Sequence, residues 1–198
     1  MSDSTLQYPW SISLFPSMLS AIPTKVVVKD SADISKIFEA PRERDETFDK
    51  KQLPCWSPAV YAKGERRGNE AVKAVTSLVY DFDHDTHDIG LMAMHLNIAG
   101  VAYVLHSTWS HSENEHRYRL ILFLTRDLTP SEYAGAWDYG YRVILKENAG
   151  VDQQAKNISR HYALPVKKTG SGYYIAIGLE GRLVDVDAIP APKNITKP

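Results

Sequence analysis

The sequence predicts an α+β domain in which helices pack on a mixed or antiparallel sheet. Three observations point there. Residues 75–83 and 101–107 are apolar runs of strand length on either side of an amphipathic helical stretch, 88–98, which makes a compact βαβ unit. Residues 118–124 are rich in strand formers and follow closely enough to pair with the second run. The chain of 198 residues is 43% hydrophobic with one cysteine, Cys55, so it can bury a sizeable core and needs no disulfide to do so.

The elements follow in order. Pro9, Pro16 and Pro23 among scattered aromatics predict an irregular start with at most a short helix. Residues 24–29 read as a strand, 32–38 as a helix, and the charged run 41–46 as a solvated loop. A second strand is expected over 58–62, then a turn or mobile loop over 64–69. After strand 75–83, Asp88 or Thr86 caps the helix that Gly100 closes. Thr129, Pro130 and Glu132 form a helix start with a capping box, and that helix is expected to reach about Glu147, with Gly150 beyond it. Two late strands are expected near 161–166 and 173–177, and 190–198 reads as a frayed tail or linker. Together these give an RRM-like sheet with one face open to ligand (about 75–189) and an N-terminal α/β extension (about 1–74) packed against it, within one domain over 1–189.

Composition excludes some functions. No apolar run is long enough to span a membrane, and the N-terminus lacks the basic and apolar regions of a secretory signal. With a single cysteine this fits a cytoplasmic protein and rules out a multi-cysteine zinc site. The net charge of −1 is not that of a bulk nucleic-acid binder, yet the charge is unevenly placed. Lys63, Arg66 and Arg67 cluster, as do Arg117 with Arg119 and Lys167 with Lys168, while acids collect over 81–88.

The apolar run 78–83 ends in Asp81-Phe82-Asp83. Side chains at i and i+2 of a strand share a face, so the two carboxylates project side by side and Phe82 turns to the core. Such a pair needs a cation between its members, and hard Mg²⁺ or Mn²⁺ suits carboxylate oxygen. Asp152, after Val151, is placed to complete a three-carboxylate cage. A solvated turn is the bland alternative for each. Arg117 and Arg119 also stand at i, i+2; with Ser110 and His111 they form a phosphate-binding set, and Arg160 after Ser159 is a weaker addition. Lys63, Arg66 and Arg67, between Gly64 and Gly68, suit template phosphates, and Trp109, Trp56 and Tyr61 are candidates for stacking on bases, though each reads more readily as packing. His84 and His87 near the acids give a weaker zinc reading.

The ordered set resembles the archaeo-eukaryotic primase superfamily, and most of all the primase-polymerase domains of plasmid and phage replication proteins. Tyr80-Asp81-Phe82-Asp83 is similar to the first motif and Val151-Asp152 to the third, and Ser159-Arg160 through Pro165 resembles the stretch that follows. The second motif is carried by Thr108-Trp109-Ser110-His111 with Arg117-Tyr118-Arg119; a Trp stands where a small residue is usual, and His106 is the fallback for His111. The resemblance implies a two-layer core and nucleotidyl transfer. In that scheme Asp81, Asp83 and Asp152 hold two divalent ions (Mg²⁺ or Mn²⁺) and join an NTP or dNTP to a primer on single-stranded DNA. Ser110, His111, Arg117, Arg119 and Arg160 bind the nucleotide. The chain has no Gly-x-x-x-x-Gly-Lys-Ser/Thr loop, so a replicative helicase would act in trans or in a further C-terminal domain. Two other readings of the residues remain open: a metal-dependent nuclease or phosphohydrolase, and a non-catalytic single-strand-binding module. A rolling-circle initiator lacks its His-hydrophobe-His run.

Overall fold

A computed structural model describes residues 10–85, 88–148 and 150–190. In chain order the strands are β1 (Trp10–Phe15), β2 (Thr24–Val28), β3 (Arg42–Arg44), β4 (Cys55–Ser57), β5 (Ala59–Tyr61), β6 (Val72–Asp85), β7 (Tyr103–Ser107), β8 (His116–Leu128), β9 (Tyr162–Ala163), β10 (Val166–Lys168) and β11 (Ile175–Gly178). The helices are α1 (Ser31–Phe38), α2 (Ile89–Ala99) and α3 (Pro130–Tyr139). Among the described residues no helix is long and apolar enough to cross a membrane.

The main sheet has the order β11-β7-β8-β6-β5, every neighbouring pair antiparallel. The unit β6-α2-β7 is a βαβ crossover with β8 inserted between its strands, and β8 pairs with β7 as expected from the sequence. A second sheet, β2-β1-β4-β9, draws its last strand from the C-terminal part of the chain. The fold is therefore α+β, with two packed sheets and helices on the outer face of the larger one.

Alternation along β6 and β8 separates two cores. Leu78, Tyr80 and Phe82 with Leu120 and Leu122 face α2 and α3, where Leu96, Tyr133 and Trp137 cover them. Val79 with Ile121, Phe123 and Val104 faces the other way, onto Trp10, Ile12 and Trp56 of the second sheet and Ile34 and Phe38 of α1. Each fully buried side chain of this size contributes roughly 1.5–3 kcal/mol. Phe82 turns inward as its spacing predicts, and its ring stacks on Tyr118 at 4.4 Å.

Several local signals act as read. Asp88 caps α2, its carboxylate accepting from Gly90 N at 2.6 Å, and Gly100 closes the helix at φ 64°. At α3 the capping box of Thr129 and Glu132 is formed. Four expectations are corrected. Residues 10–15 form β1 and not an irregular start: Trp10-Ser11-Ile12-Ser13 alternates with period two, and β2 and β4 pair on either side of it. Within the charged run 41–46, β3 pairs in parallel with β10, an edge pairing in which Arg and Glu remain in solvent. The helix of α3 ends at Tyr139, and residues 140–144 continue as a wider turn. A Cβ at position 140 would collide with the Tyr80 hydroxyl, which itself donates to Trp137 O at 2.9 Å. Finally, the sheet face expected to lie open is covered by the second sheet and α1.

Candidate active site

Where the second sheet stops short of the end of β6, the two layers leave a cleft of about 210 Å³. Asp81 and Asp83 line it from β6, Arg119 from β8 and His106 from β7. Asp81 pairs with Arg119, and Arg119 with His106, in the strand registers, so one row of polar side chains crosses three strands on a face that is otherwise mostly apolar. This is why an acid on the buried side of a strand can be kept: its neighbour in the ladder is a guanidinium.

Arg119 Nη2 donates to Asp81 Oδ1 at 2.9 Å, and its Nη1 donates to Ala163 O at 3.2 Å. The guanidinium lies 4.5 Å from the centre of the Tyr162 ring, and both partners of the ion pair are only 8% exposed at the side chain. Burial pushes the Asp81 carboxyl above the ordinary range; Arg119 pulls against it, Asp83 adds to it, and Arg160 again opposes it. Asp83 is half-buried on the same face, with no ion pair among the described residues.

Asp152 reaches the cluster through the backbone. Its N–H donates to Asp81 O at 2.8 Å, next to a bridge between Phe82 and Val151. Its Oδ1 accepts from Gln154 N at 2.9 Å, as a turn aspartate does, while its Oδ2 takes Arg160 Nη2 at 3.0 Å. The same nitrogen of Arg160 is 3.9 Å from Asp81 Oδ2. Thus Asp152, far along the chain, comes beside Asp81 with a guanidinium between the two carboxylates, while Asp83 lines the cleft on the face of Asp81. As donors the three carboxylates suit a hard divalent ion. As the side chains stand, no group of three His, Cys, Asp or Glu among the described residues is gathered closely enough to hold one, Arg160 being in the gap.

The cationic side of the cleft includes a residue that the sequence did not single out. Lys50 Nζ donates to Ser110 Oγ at 2.8 Å and lines the cleft with it; partial burial lowers its ammonium below the usual range, with Arg117 acting in the same sense. Nothing in the charged run around Lys50 marks it out; it opens a short turn, Lys50–Gln52, whose place beside the cleft is set by tertiary packing. His111 accepts from Arg117 N at 3.2 Å through Nδ1 and lies 5.4 Å from the ring of His116, beside the cleft and not among its walls. Arg117 Nη2 pairs with Glu115 at 2.6 Å. His106, the alternative histidine, is buried in the cleft wall; desolvation pushes it down to about 3, so it is neutral, with Nδ1 against Ser107 O at 2.9 Å and Nε2 without a hydrogen-bond partner among the described residues.

The other named residues spread out. Arg67 donates to Ser159 O at 3.4 Å and lines a neighbouring groove of about 620 Å³ that shares Met18, Arg160 and His161 with the cleft. Lys63 lines a separate depression beside Tyr61 and Pro23, and Arg66 is exposed. Ser159 braces the turn through Asn69 and Asn157. Trp109 packs on Leu53 and Val166 and is 8% exposed, its remaining edge on the cleft. Trp56 and Tyr61 are core residues, so neither offers a face for stacking. His87 and Thr86 lie outside the described residues, as do the side chain of His84 and the tail beyond 190.

Comparison with known proteins gives one family match and one structural likeness. Residues 51–144 match the family described as the VapE N-terminal domain. No curated protein matches the chain. Among solved structures, the one titled "Cyanophage S-2L Primase-Polymerase (PrimPol), AEP domain (PP-N190)" is similar over 91% of this chain and 90% of that one, at 12% identity and a TM-score of 0.49. The family match runs from just before β4 to just past α3, so it contains Asp81, Asp83, Arg117 and Arg119, while Asp152 and Arg160 lie beyond it.

Proposed function

We propose that the chain is a DNA-dependent primase-polymerase of a plasmid, phage or other mobile element, joining NTPs or dNTPs on single-stranded DNA. The observation that carries this reading is a cleft lined by Asp81 and Asp83 together with Lys50, Arg119 and Arg160, with Asp152 joined to its edge through Arg160. A pair of Mg²⁺ or Mn²⁺ ions bound by these acids would lower the pKa of the attacking 3′-hydroxyl and offset charge on the departing pyrophosphate.

The protein's own groups do the rest by position and charge. Arg119 holds Asp81 in one orientation and opposes the rise that burial imposes on its carboxyl. Lys50 and Ser110 offer a cation and a hydroxyl to phosphate oxygens, with Arg160, Arg117 and His111 near enough to share the task. Arg67 extends the basic lining into the adjoining groove, where a template strand would run; Lys63, in a separate depression, and the exposed Arg66 would meet template phosphates only beyond that groove. Unwinding would fall to a helicase elsewhere. A module that only binds single strands would need an open sheet face, and here that face is covered.

The test is primer synthesis on single-stranded DNA with labelled NTPs and dNTPs, with Mg²⁺ or Mn²⁺, beside the Asp83→Asn protein. Metal-dependent products lost in the variant are expected. Cleavage of the template without incorporation would replace this reading with the nuclease one.

A further inference from the structure

Arg160 occupies an unusual place: its neighbours are two of the acids proposed to hold divalent ions. Its Nη2 lies 3.0 Å from Asp152 Oδ2 and 3.9 Å from Asp81 Oδ2. The backbone around it is fixed, since Ser57 Oγ donates to its carbonyl at 2.8 Å and its N–H donates to Asn157 O at 3.0 Å. The side chain is held less firmly. It is 26% exposed, and its second nitrogen makes only a 3.4 Å contact to Gln154 Oε1. It borders both the cleft and the adjoining groove, so it can turn from one into the other without backbone movement.

Arg119 differs on each count. Its two terminal nitrogens are engaged by Asp81 and Ala163, its plane lies on Tyr162, and its side chain is 8% exposed. Charge makes the difference consequential. Three carboxylates facing two guanidinium groups leave one negative charge in the site. With Arg160 turned out and one divalent ion in its stead, the site is neutral.

We propose that Arg160 is a resident counter-cation of the carboxylate site, which gives way to a divalent ion and turns toward the adjoining groove. Metal binding then frees a guanidinium for an anionic ligand, the phosphate chemistry of a nucleotide or a strand, in one event. The inference rests on the reading that Asp81, Asp83 and Asp152 hold metal.

The experiment is a Mn²⁺ titration of the full chain, with free Mn²⁺ followed by electron paramagnetic resonance, for wild type, Arg160→Gln, Arg160→Lys and Asp83→Asn. Removing the competing charge is expected to tighten Mn²⁺ binding by about tenfold or more in Arg160→Gln, an effect of the order of one close charge pair in a half-buried site. Arg160→Lys keeps the charge and is expected to stay within about threefold of wild type. An Arg160→Gln protein that binds Mn²⁺ no more tightly than wild type overturns the proposal, and so does an Arg160→Lys protein that behaves like Arg160→Gln. If Asp83→Asn leaves Mn²⁺ binding unchanged, it is the metal reading that fails, and the proposal fails with it.

Discussion

Two clusters in this molecule are made of the same parts in different surroundings. At the cleft, Arg119 and Arg160 meet Asp81 and Asp152; at the start of α3, Arg126 meets Glu132 at 2.9 Å and Asp187 at 2.8 Å. The distances are alike and the surroundings are not. Arg119 and Asp81 are almost wholly buried, whereas Arg126, Glu132 and Asp187 are between 37% and 74% exposed at the side chain. Each member of a buried pair depends on the other, because water cannot replace either. An exposed pair loses little when broken, since solvent and salt take over. Ion-pair geometry alone therefore does not distinguish a site from a brace; burial and the cavity beside it do.

The largest effect expected from this contrast is at Asp81. Asp81→Ala leaves Arg119 charged and buried without its carboxylate, a loss of about 3–5 kcal/mol by analogy with other broken buried pairs. Urea unfolding measures it, and synthesis should vanish as well. Asp83→Asn separates the two roles. Its side chain is half-buried and pairs with no cation among the described residues, so synthesis should be abolished while stability moves by no more than about 0.5 kcal/mol. A stability loss in Asp83→Asn as large as that in Asp81→Ala would erase the distinction between the holding pair and the working acid.

The strand that carries Asp81 is also held from its other face. Tyr80 donates to Trp137 O at 2.9 Å, under the wide turn at Gly140. A methyl group at 140 meets the Tyr80 hydroxyl, so Gly140→Ala is expected to destabilise by about 1–3 kcal/mol through overpacking. Thermal melting would show it. A neutral result would mean that the helical side yields, and that the acids are positioned by the ladder with β8 alone.

Next in size is a pH effect. His106 is held near 3 in the folded protein, and an unfolded histidine titrates near 6.5. Below pH 6.5 the unfolded chain takes up a proton that the folded one refuses, so stability falls on acidification at up to about 1.4 kcal/mol per pH unit from this group. In His106→Gln the fall between pH 6 and 4 should be shallower by a corresponding amount. Equal slopes would show that the ring accepts a proton where it lies, beside Arg119.

How far this was legible in the sequence differs between the same two regions. Period-two alternation placed Asp81 and Asp83 on one face and Phe82 on the other, and helix chemistry placed Asp88, Gly100 and the capping box, because each depends on residues a few positions apart. Lys50 on the cleft, the guanidinium between Asp81 and Asp152, and the covering of the sheet depend on pairings across long stretches of chain, such as β4 with β9 and β3 with β10. No local pattern records these. Strand β1 was readable in the alternation of Trp10, Ile12 and Leu14 and was obscured only by the flanking prolines.

The smallest effect belongs to the exposed cluster, and it tests the contrast from the other side. Glu132 is held down to about 2, first by Arg126 and then by the backbone and hydroxyl of Thr129. Its folded carboxyl titrates below its unfolded one, so what it contributes is fully present above about pH 4.5 and is lost as the pH falls toward 2. Arg126→Ala should therefore lower stability by less than about 1 kcal/mol at pH 7 and reduce the acid sensitivity in that window. Primer synthesis should be unchanged, since this cluster lies away from the cleft. If Arg126→Ala were as damaging to synthesis as Asp83→Asn, burial would not be what separates the two clusters, and the depression beside Arg126 and Ser131 would have to be counted as part of the working surface.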